Sequence, residues 1–456
     1  MQQVFTVVVA ILLARNLGSS AYGLIAIVSA YIGLVTNLST IGFGVAIIQN
    51  QFAEDEEIST LYWLNLFIVL LCWIFIVFSS DAVSIFYNMP ELKWLIIFGS
   101  IEVIIGPFYR IHEKLLEKDL KFHMLAIINI SSSLTGGVSA VIAVYNGIGV
   151  YSLLVLTLVN GLSRMAMILF ISNWKPSLCL SVTKVKSMVA YAFKHKIFTT
   201  LSYFERNIDT LLIGKLFDVV SLGLYSFAYT ILYMPVKRVS NIFVQILFPA
   251  FSLIQNDNKK MLSVYLQSIR LISIITFPIM VILSLNAALI IPAVFGQKWM
   301  PAVDMVQVLT IVGAIQSVNQ LSSLMYHAVS EMKEPIYFGL LKVILIVAAI
   351  FIGSSFDVFT AVLLILAATI ASFVFNHLMI SKRFSLSISE LMKHLSGPIL
   401  SSLIIVITYY LVYAYTANGI YSGLLSSIFG LLFIMLFEID VLKGVAKQVS
   451  LKVLNK

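Results

Sequence analysis

Charge is the scarcest thing in this chain. Asp, Glu, Lys and Arg make up 11% of its 456 residues against 60% apolar side chains, and the mean hydropathy is +1.01. A soluble domain carries about a quarter charged residues, so no water-exposed fold could hide this much apolar surface. Acid is scarcer than base, with 21 Asp and Glu against 29 Lys and Arg. Cysteine is nearly absent: Cys72 in an apolar block and Cys179 in a polar linker provide neither a disulfide framework nor metal-ligand spacing. The start, MQQVFTVVVAILLARNLG, lacks a basic segment and a small-residue cleavage site, which argues against a cleavable signal. Polar stretches that could hold a soluble domain are missing too; the longest is residues 173–194.

What is present is a series of continuous apolar runs. They predict an all-α polytopic membrane protein; a β-barrel would show short alternating segments. The basic residues are scattered over short loops, which excludes a nucleic-acid partner. A spanning helix needs about 20 apolar residues. The blocks are 1–14, 22–49, 60–80, 92–109, 124–145, 148–172, 195–214, 222–248, 262–285, 302–328, 336–352, 358–380, 395–415 and 420–437, about fourteen helices. At about 1.5 Å per residue the first reaches only about 21 Å of a roughly 30 Å core, so an incomplete first helix is expected.

Lys and Arg in the loops set the orientation. One set of alternating loops holds nineteen of them and the other only Arg15, Lys93, Lys215 and Lys298. The first set is therefore expected in the cytoplasm, together with both termini. The acidic loop Glu54–Glu57 dissents, but acids weigh little in this rule.

The chain also repeats itself. Ala14-Arg15-Asn16-Leu17-Gly18 through Tyr22-Gly23-Leu24 aligns with Gly214-Lys215-Leu216-Phe217-Asp218 through Leu222-Gly223-Leu224 at an offset of 200 residues. A parallel repeat of this kind predicts two pseudo-symmetric six-helix lobes. The expected organisation is a first lobe over 1–172, an amphipathic cytoplasmic linker over 173–194, a second lobe over 195–380, two added helices over 395–437 and a basic cytoplasmic tail over 438–456. The linker would lie on anionic lipid.

These residues resemble a family. The segments above, Arg110 with Leu120-Lys121-Phe122, Asn207-Ile208-Asp209 with Leu212-Ile213-Gly214 and Gly223-Leu224-Tyr225, and Phe295-Gly296-Gln297-Lys298-Trp299 resemble the polysaccharide flippases of the MOP (multidrug/oligosaccharidyl-lipid/polysaccharide) superfamily, the Wzx-type and colanic-acid-exporter-like group. The resemblance implies a twelve-plus-two-helix transporter. It implies a polyprenyl-diphosphate-linked oligosaccharide, flipped to the outer leaflet of a bacterial inner membrane for surface polysaccharide such as lipopolysaccharide. Membrane lipids, and a polymerase with its chain-length machinery, are the implied partners.

The remaining signal is charge in the wrong place. Arg164, Arg206, Lys237, Arg238, Arg270 and Lys342 fall inside apolar blocks, where a charge costs a few kcal/mol unless it meets water, a partner or a ligand. Arg164, Arg270 and Lys342 lie close enough to helix ends to snorkel or to pair. Arg206 has Asp209 at i+3, where the two can form an ion pair or, with Asn207, a polar stripe facing a cavity. Lys237 and Arg238 follow Pro235, which removes a backbone bond and predicts a bend. Together these residues are expected to form a cytoplasm-facing basic vestibule that attracts a diphosphate. The six histidines are expected to be solvated or structural, and nothing has metal-ligand or cofactor spacing. A drug or cation antiporter of the same superfamily is the alternative, but it would place carboxylates at depth. Glu102, Glu205 and Asp209 are few against six cations. A membrane glycosyltransferase would need an outer catalytic loop, and no catalytic residue is nominated.

Overall fold

The computed structural model describes residues 2–39, 47, 54–179, 181–328, 333–384, 386–416 and 419–437. Within the helices, the side chains of 182–195, 197 and 198 are among those outside the description. Every described element is helical. In chain order they are α1 (Gln2–Asn16), α2 (Ser19–Ser39), α3 (Asp55–Tyr87), α4 (Glu91–Lys118), α5 (Phe122–Tyr145), α6 (Tyr151–Ile171), α7 (Val182–Leu216), α8 (Val219–Leu253), α9 (Asn258–Leu285), α10 (Ala287–Phe295), a 3-10 turn (Gln297–Ala302), α11 (Val303–Ala328), α12 (Lys333–Gly353), α13 (Val358–Phe384), α14 (Ile388–Thr416) and α15 (Gly419–Phe437). Eleven spans among the described residues are long and apolar enough to cross a membrane. Phe78, Phe170 and Ile344 stand exposed on them, as side chains facing lipid must. Residues 40–46, 48 and 49 of block 22–49, Gly42 and Gly44 among them, and the 438–456 tail lie outside the described residues.

Helix ends follow local chemistry rather than hydropathy. Block 92–109 was expected to end before Arg110, yet α4 runs on to Lys118. The segment RIHEKLLEK is polar on one side and apolar on the other, with Lys114 and Glu117 paired at i+3, 2.6 Å apart, so the helix continues past the apolar block. His112, expected in a loop, is therefore buried and bonds Ser172 Oγ at 2.8 Å. Aspartates open three helices. Asp218, Asp257 and Asp357 accept the backbone N–H groups of Ser221, Lys260 and Thr360 at 2.8, 3.0 and 2.8 Å. Those N–H groups hold the Asp218 and Asp257 carboxyls below their ordinary value, and at Asp357 the Thr360 hydroxyl does so first, with its amide second.

The chain divides into two compact units, Met1–Ser226 and Phe227–Lys456. In the first, α1 packs on α5 through Val9, Leu13, Leu17, Ala140 and Val144. Ile105, Tyr109, Leu125 and Ile168 join α4, α5 and α6. The connector after α6 is extended rather than helical over 172–179 and is fastened to α3. Trp63 Nε1 donates to the Ser177 carbonyl at 2.9 Å, the Ser177 and Ser181 amides donate to Ser59 Oγ and Thr60 Oγ1 at 3.0 Å each, and Thr60 Oγ1 reaches the Cys179 carbonyl at 3.4 Å. Helix begins at Val182 and runs unbroken to Leu216.

The second unit has its core on α8, α9, α11, α13 and α14, with Phe251, Tyr265, Leu321, Ile380 and Leu391 all buried. Buried hydroxyls and amides pair across it. Tyr265 Oη meets Ser322 Oγ at 2.7 Å and His377 Nε2 at 3.3 Å, Thr276 Oγ1 meets Ser317 Oγ at 2.9 Å, and Asn376 donates to Asn319 Oδ1 at 3.2 Å. Polar groups remote from water need such partners. His377 is thus structural, and it is buried rather than solvated.

Candidate functional site

The six nominated cations divide by environment. Arg164 on α6 forms an ion pair with Glu113 on α4 at 2.5 Å and lies over the Tyr109 ring, 5.6 Å from its centroid. It is a seam between two helices. Arg270 and Lys342 are half-buried, and each makes a polar or ring contact. Arg206, Lys237 and Arg238 are exposed. Lys237 lies over the Tyr233 ring at 5.7 Å; Arg206 and Arg238 have no ion pair among the described residues.

Asp209 does not serve Arg206. It is buried, accepts the Tyr225 hydroxyl at 2.5 Å and takes the Thr210 amide at 2.7 Å. Tyr225 is fully buried on α8, so this bond clamps α7 to α8 across the turn between them. Asn207 gives its amide to the Tyr203 carbonyl at 2.9 Å. Removing the hydroxyl with Tyr225→Phe leaves a buried carboxylate short of a donor, which costs about 1.5–3 kcal/mol. The purified variant is expected to unfold several degrees lower than the wild type, while Asp209→Asn, which keeps an acceptor, loses less.

Along the rest of α7, Tyr203 donates to the Ala30 carbonyl of α2 at 2.6 Å, and the absent side chain of Gly33 makes room for its ring. Tyr87 of α3 donates to the Leu211 carbonyl at 3.2 Å. Lys215 donates to the Phe86 carbonyl and lies 4.5 Å from the Phe86 ring centroid.

The closest approach lies between the starts of α2 and α8. A β-carbon at Gly23 would overlap the Val219 carbonyl oxygen and stand 3.1 Å from the Gly223 amide nitrogen. A β-carbon at Gly223 would overlap the Ser19 carbonyl oxygen and stand 3.1 Å from the Gly23 amide nitrogen. The contact is reciprocal, and its two sides are separated by the same 200 residues as the sequence repeat. Only glycine allows two backbones so close.

Beside these contacts α2, α4 and α6 enclose a cavity of about 260 Å³. Its walls are apolar apart from Ser29, Thr36, Thr157, Glu102 and Arg110. Glu102, Gly106 and Arg110 occupy successive i+4 positions on α4, hence one face. The Arg110 side chain lies back over Gly106: a β-carbon there would be 2.9 Å from both its Cζ and its Nε. Gly161 of α6 faces Glu102, and a β-carbon at 161 would be 3.6 Å from Glu102 Cγ. Glu102 and Arg110 have no hydrogen-bond or ion-pair partner among the described residues. The sequence reading missed Arg110 because it lay beyond the apolar block, and the i+4 series Glu-Gly-Arg was the signal that could have found it. Among the described residues no His, Cys, Asp and Glu cluster could hold a metal ion.

In the second unit the segment Phe295–Trp299 is a packing device. Gly296 turns the chain at φ 102°, Trp299 is fully buried, and it stacks on Phe227 with centroids 3.9 Å apart.

A family described as "Polysaccharide biosynthesis protein" matches residues 12–304. The chain is 28% identical over 277 residues to the teichuronic acid biosynthesis protein TuaB of Bacillus subtilis (strain 168), covering 60% of this chain and 57% of TuaB. It is 27% identical over 344 residues to the lipopolysaccharide biosynthesis protein WzxC of Escherichia coli (strain K12), covering 75% and 70%. Among solved structures it superimposes on the lipid II flippase MurJ in an inward closed conformation, with a TM-score of 0.78 and 16% identity over 97% of this chain and 98% of that one. A multidrug resistance MATE transporter of the MOP superfamily, inward-facing, matches with a TM-score of 0.67 and 12% identity over 84% and 95%.

Proposed function

Since the chain belongs to the polysaccharide biosynthesis protein family, we propose that it is a flippase: it carries a polyprenyl-diphosphate-linked oligosaccharide across the bacterial inner membrane by alternating access, and performs no covalent chemistry. The observation that carries this reading is the sign of the charge at depth. Lys237 and Arg238 are exposed on α8 within one of the eleven apolar spans, Arg206 is exposed on α7, and Arg110 lines a cavity. Such an excess of cations raises the local concentration of a diphosphate, and guanidinium groups suit its paired oxygens. An antiporter of cations would need the opposite balance. The relatives' names point the same way: they concern teichuronic acid, lipopolysaccharide and, for ExoT of Rhizobium meliloti (strain 1021), succinoglycan biosynthesis transport.

On this reading the architecture is twelve helices in two lobes plus two, with the Lys-rich loops and both termini in the cytoplasm. The reciprocal Gly23–Gly223 crossing supports it, because a pseudo-two-fold repeat brings equivalent positions together at its axis. The polymerase and chain-length machinery would take the product on the other side. Deleting the gene tests the transport role. Surface polysaccharide is expected to disappear while its lipid-linked repeat unit accumulates on the inner leaflet, and the intact gene in trans is expected to restore it. Unchanged surface polymer in the deletion would refute the proposal.

A further inference from the structure

A helix that meets lipid shows apolar side chains on its outer face. α13 does so, exposing Leu363, Ile370, Val374, Phe375 and Leu378. α8 does not. Its membrane-spanning part runs from Val219 to Asn241, and beyond Val220 its exposed residues are Thr230, Lys237, Arg238 and Asn241. The other face of α8 is closed: Leu232 and Val236 are buried, and a β-carbon at Gly313 of α11 would stand 3.2 and 3.3 Å from their side chains. The open face is thus built for water and a polar solute, not for lipid.

Two half-buried tyrosines lie along it. Tyr229, Tyr233 and Lys237 recur at i+4, which puts them on one side of the helix. The Tyr229 and Tyr233 ring centroids are 6.0 Å apart with 21° between the planes. The rings are therefore offset rather than face to face, which leaves part of their faces open. Lys237 closes the row, 5.7 Å from the Tyr233 centroid. The Tyr233 hydroxyl, the Lys237 ammonium and the Arg238 guanidinium make no hydrogen bond or ion pair among the described residues. The two tyrosines are the eleventh and fifteenth of the span's 23 residues, too deep for the aromatic belt that anchors a helix at the membrane surface.

We propose that Tyr229 and Tyr233 are a platform for the glycan of the substrate, a subsite that rests on the flippase reading and adds to it recognition of the sugar. The face of a tyrosine ring carries partial negative charge and its edge partial positive charge. Such a face repels a phosphate and attracts the C–H groups that cover one side of a pyranose ring. Sugar hydroxyls both donate and accept, so the Tyr233 hydroxyl suits them in either role, while Lys237 and Arg238 donate only. The span holds no Asp or Glu, so nothing on this face competes with hydroxyl oxygens for those donors. The rings hold the sugar by its apolar side, and the uncommitted polar groups beyond Tyr233 hold its rim.

Two probes separate the sugar from the headgroup: the lipid-linked repeat unit extracted from the deletion strain, and undecaprenyl diphosphate, which carries no sugar. Each is titrated into the purified full chain in detergent, with binding read by thermophoresis. Wild type is expected to bind the glycosylated probe about tenfold or more tighter than the bare one. Tyr229→Leu and Tyr233→Leu fill the space without a ring face. Each should lose about tenfold on the glycosylated probe, bind undecaprenyl diphosphate as wild type does, and elute as wild type does on size exclusion. Tyr233→Phe keeps the ring and loses the hydroxyl, so it should fall between, and Tyr233→Trp should bind at least as well as Tyr233→Phe. The platform is overturned, and the flippase reading left standing, if wild type binds both probes equally, if the leucine variants bind the glycosylated probe as wild type does, or if Tyr233→Phe is as weak as Tyr233→Leu. If wild type binds neither probe, the flippase reading falls with it.

Discussion

Valine in place of Gly23 is expected to cut polymer export by about tenfold or more at normal membrane levels of the protein. The new side chain would meet the Val219 carbonyl, which is backbone and cannot rotate away. Overpacking of this kind costs about 1–3 kcal/mol, and about 1.4 kcal/mol already changes a rate or a population tenfold. The reciprocal geometry makes a sharper demand. Gly223→Val meets the Ser19 carbonyl from the other side, so it should be as damaging as Gly23→Val. The double variant should be little worse than either, because both break one contact and the costs do not add. Alanine at either site should be intermediate. Export measured in a deletion strain carrying each variant checks all of this. Normal export by Gly23→Val, or a strong inequality between the two single variants, would show that the crossing is not a shared mechanical element.

Reversing one exposed cation should have the next largest effect. Arg206→Glu changes the local charge by two units without touching a partner, since Arg206 has no ion pair among the described residues and Asp209 is held by Tyr225. Two unit charges about 4–6 Å apart near a protein surface interact by about 3–4 kcal/mol. If Arg206 meets the substrate diphosphate, reversal should cost export about tenfold or more, neutral Gln less, and Lys least, because Lys keeps the charge but loses the planar fork. Immunoblots of the membrane fraction should show equal protein throughout. Full export by Arg206→Glu at wild-type abundance would remove Arg206 from the substrate path.

Much of the fold was legible in the sequence, because a bilayer reduces folding to where apolar runs begin and stop. Among the described residues, each apolar block falls on a helix. The ends were less legible. α4 runs nine residues past its apolar block, because helix ends answer to hydrogen bonds and i+3 pairs whereas hydropathy reports only the lipid. That difference hid Arg110, the cation that lines a cavity. Arg164 was expected to snorkel or to pair, but its partner was not legible, because Glu113 is 51 residues away in sequence and only the packing of α4 on α6 brings them together. Two of the segments that resembled the family turn out to be joints: Asp209 reaches Tyr225 sixteen residues on, and Trp299 stacks on Phe227. Their residue types were plain to see, but the reason for them was a pair of contacts that no spacing rule reports.

The far end of the connector after α6, from Ser177 on, is fastened to α3 through its main chain. Between Ser177 and Ser181 it offers two amides and two carbonyls, while Ser59, Thr60 and Trp63 of α3 supply the side chains. The instruction that places this stretch is therefore written elsewhere in the gene. Residues 177–181 are free to drift in evolution so long as proline stays away from the two donor positions, while a change at 59, 60 or 63 detaches a segment it does not belong to. Aligned relatives should accordingly show turnover in the connector and constancy at those three positions of α3.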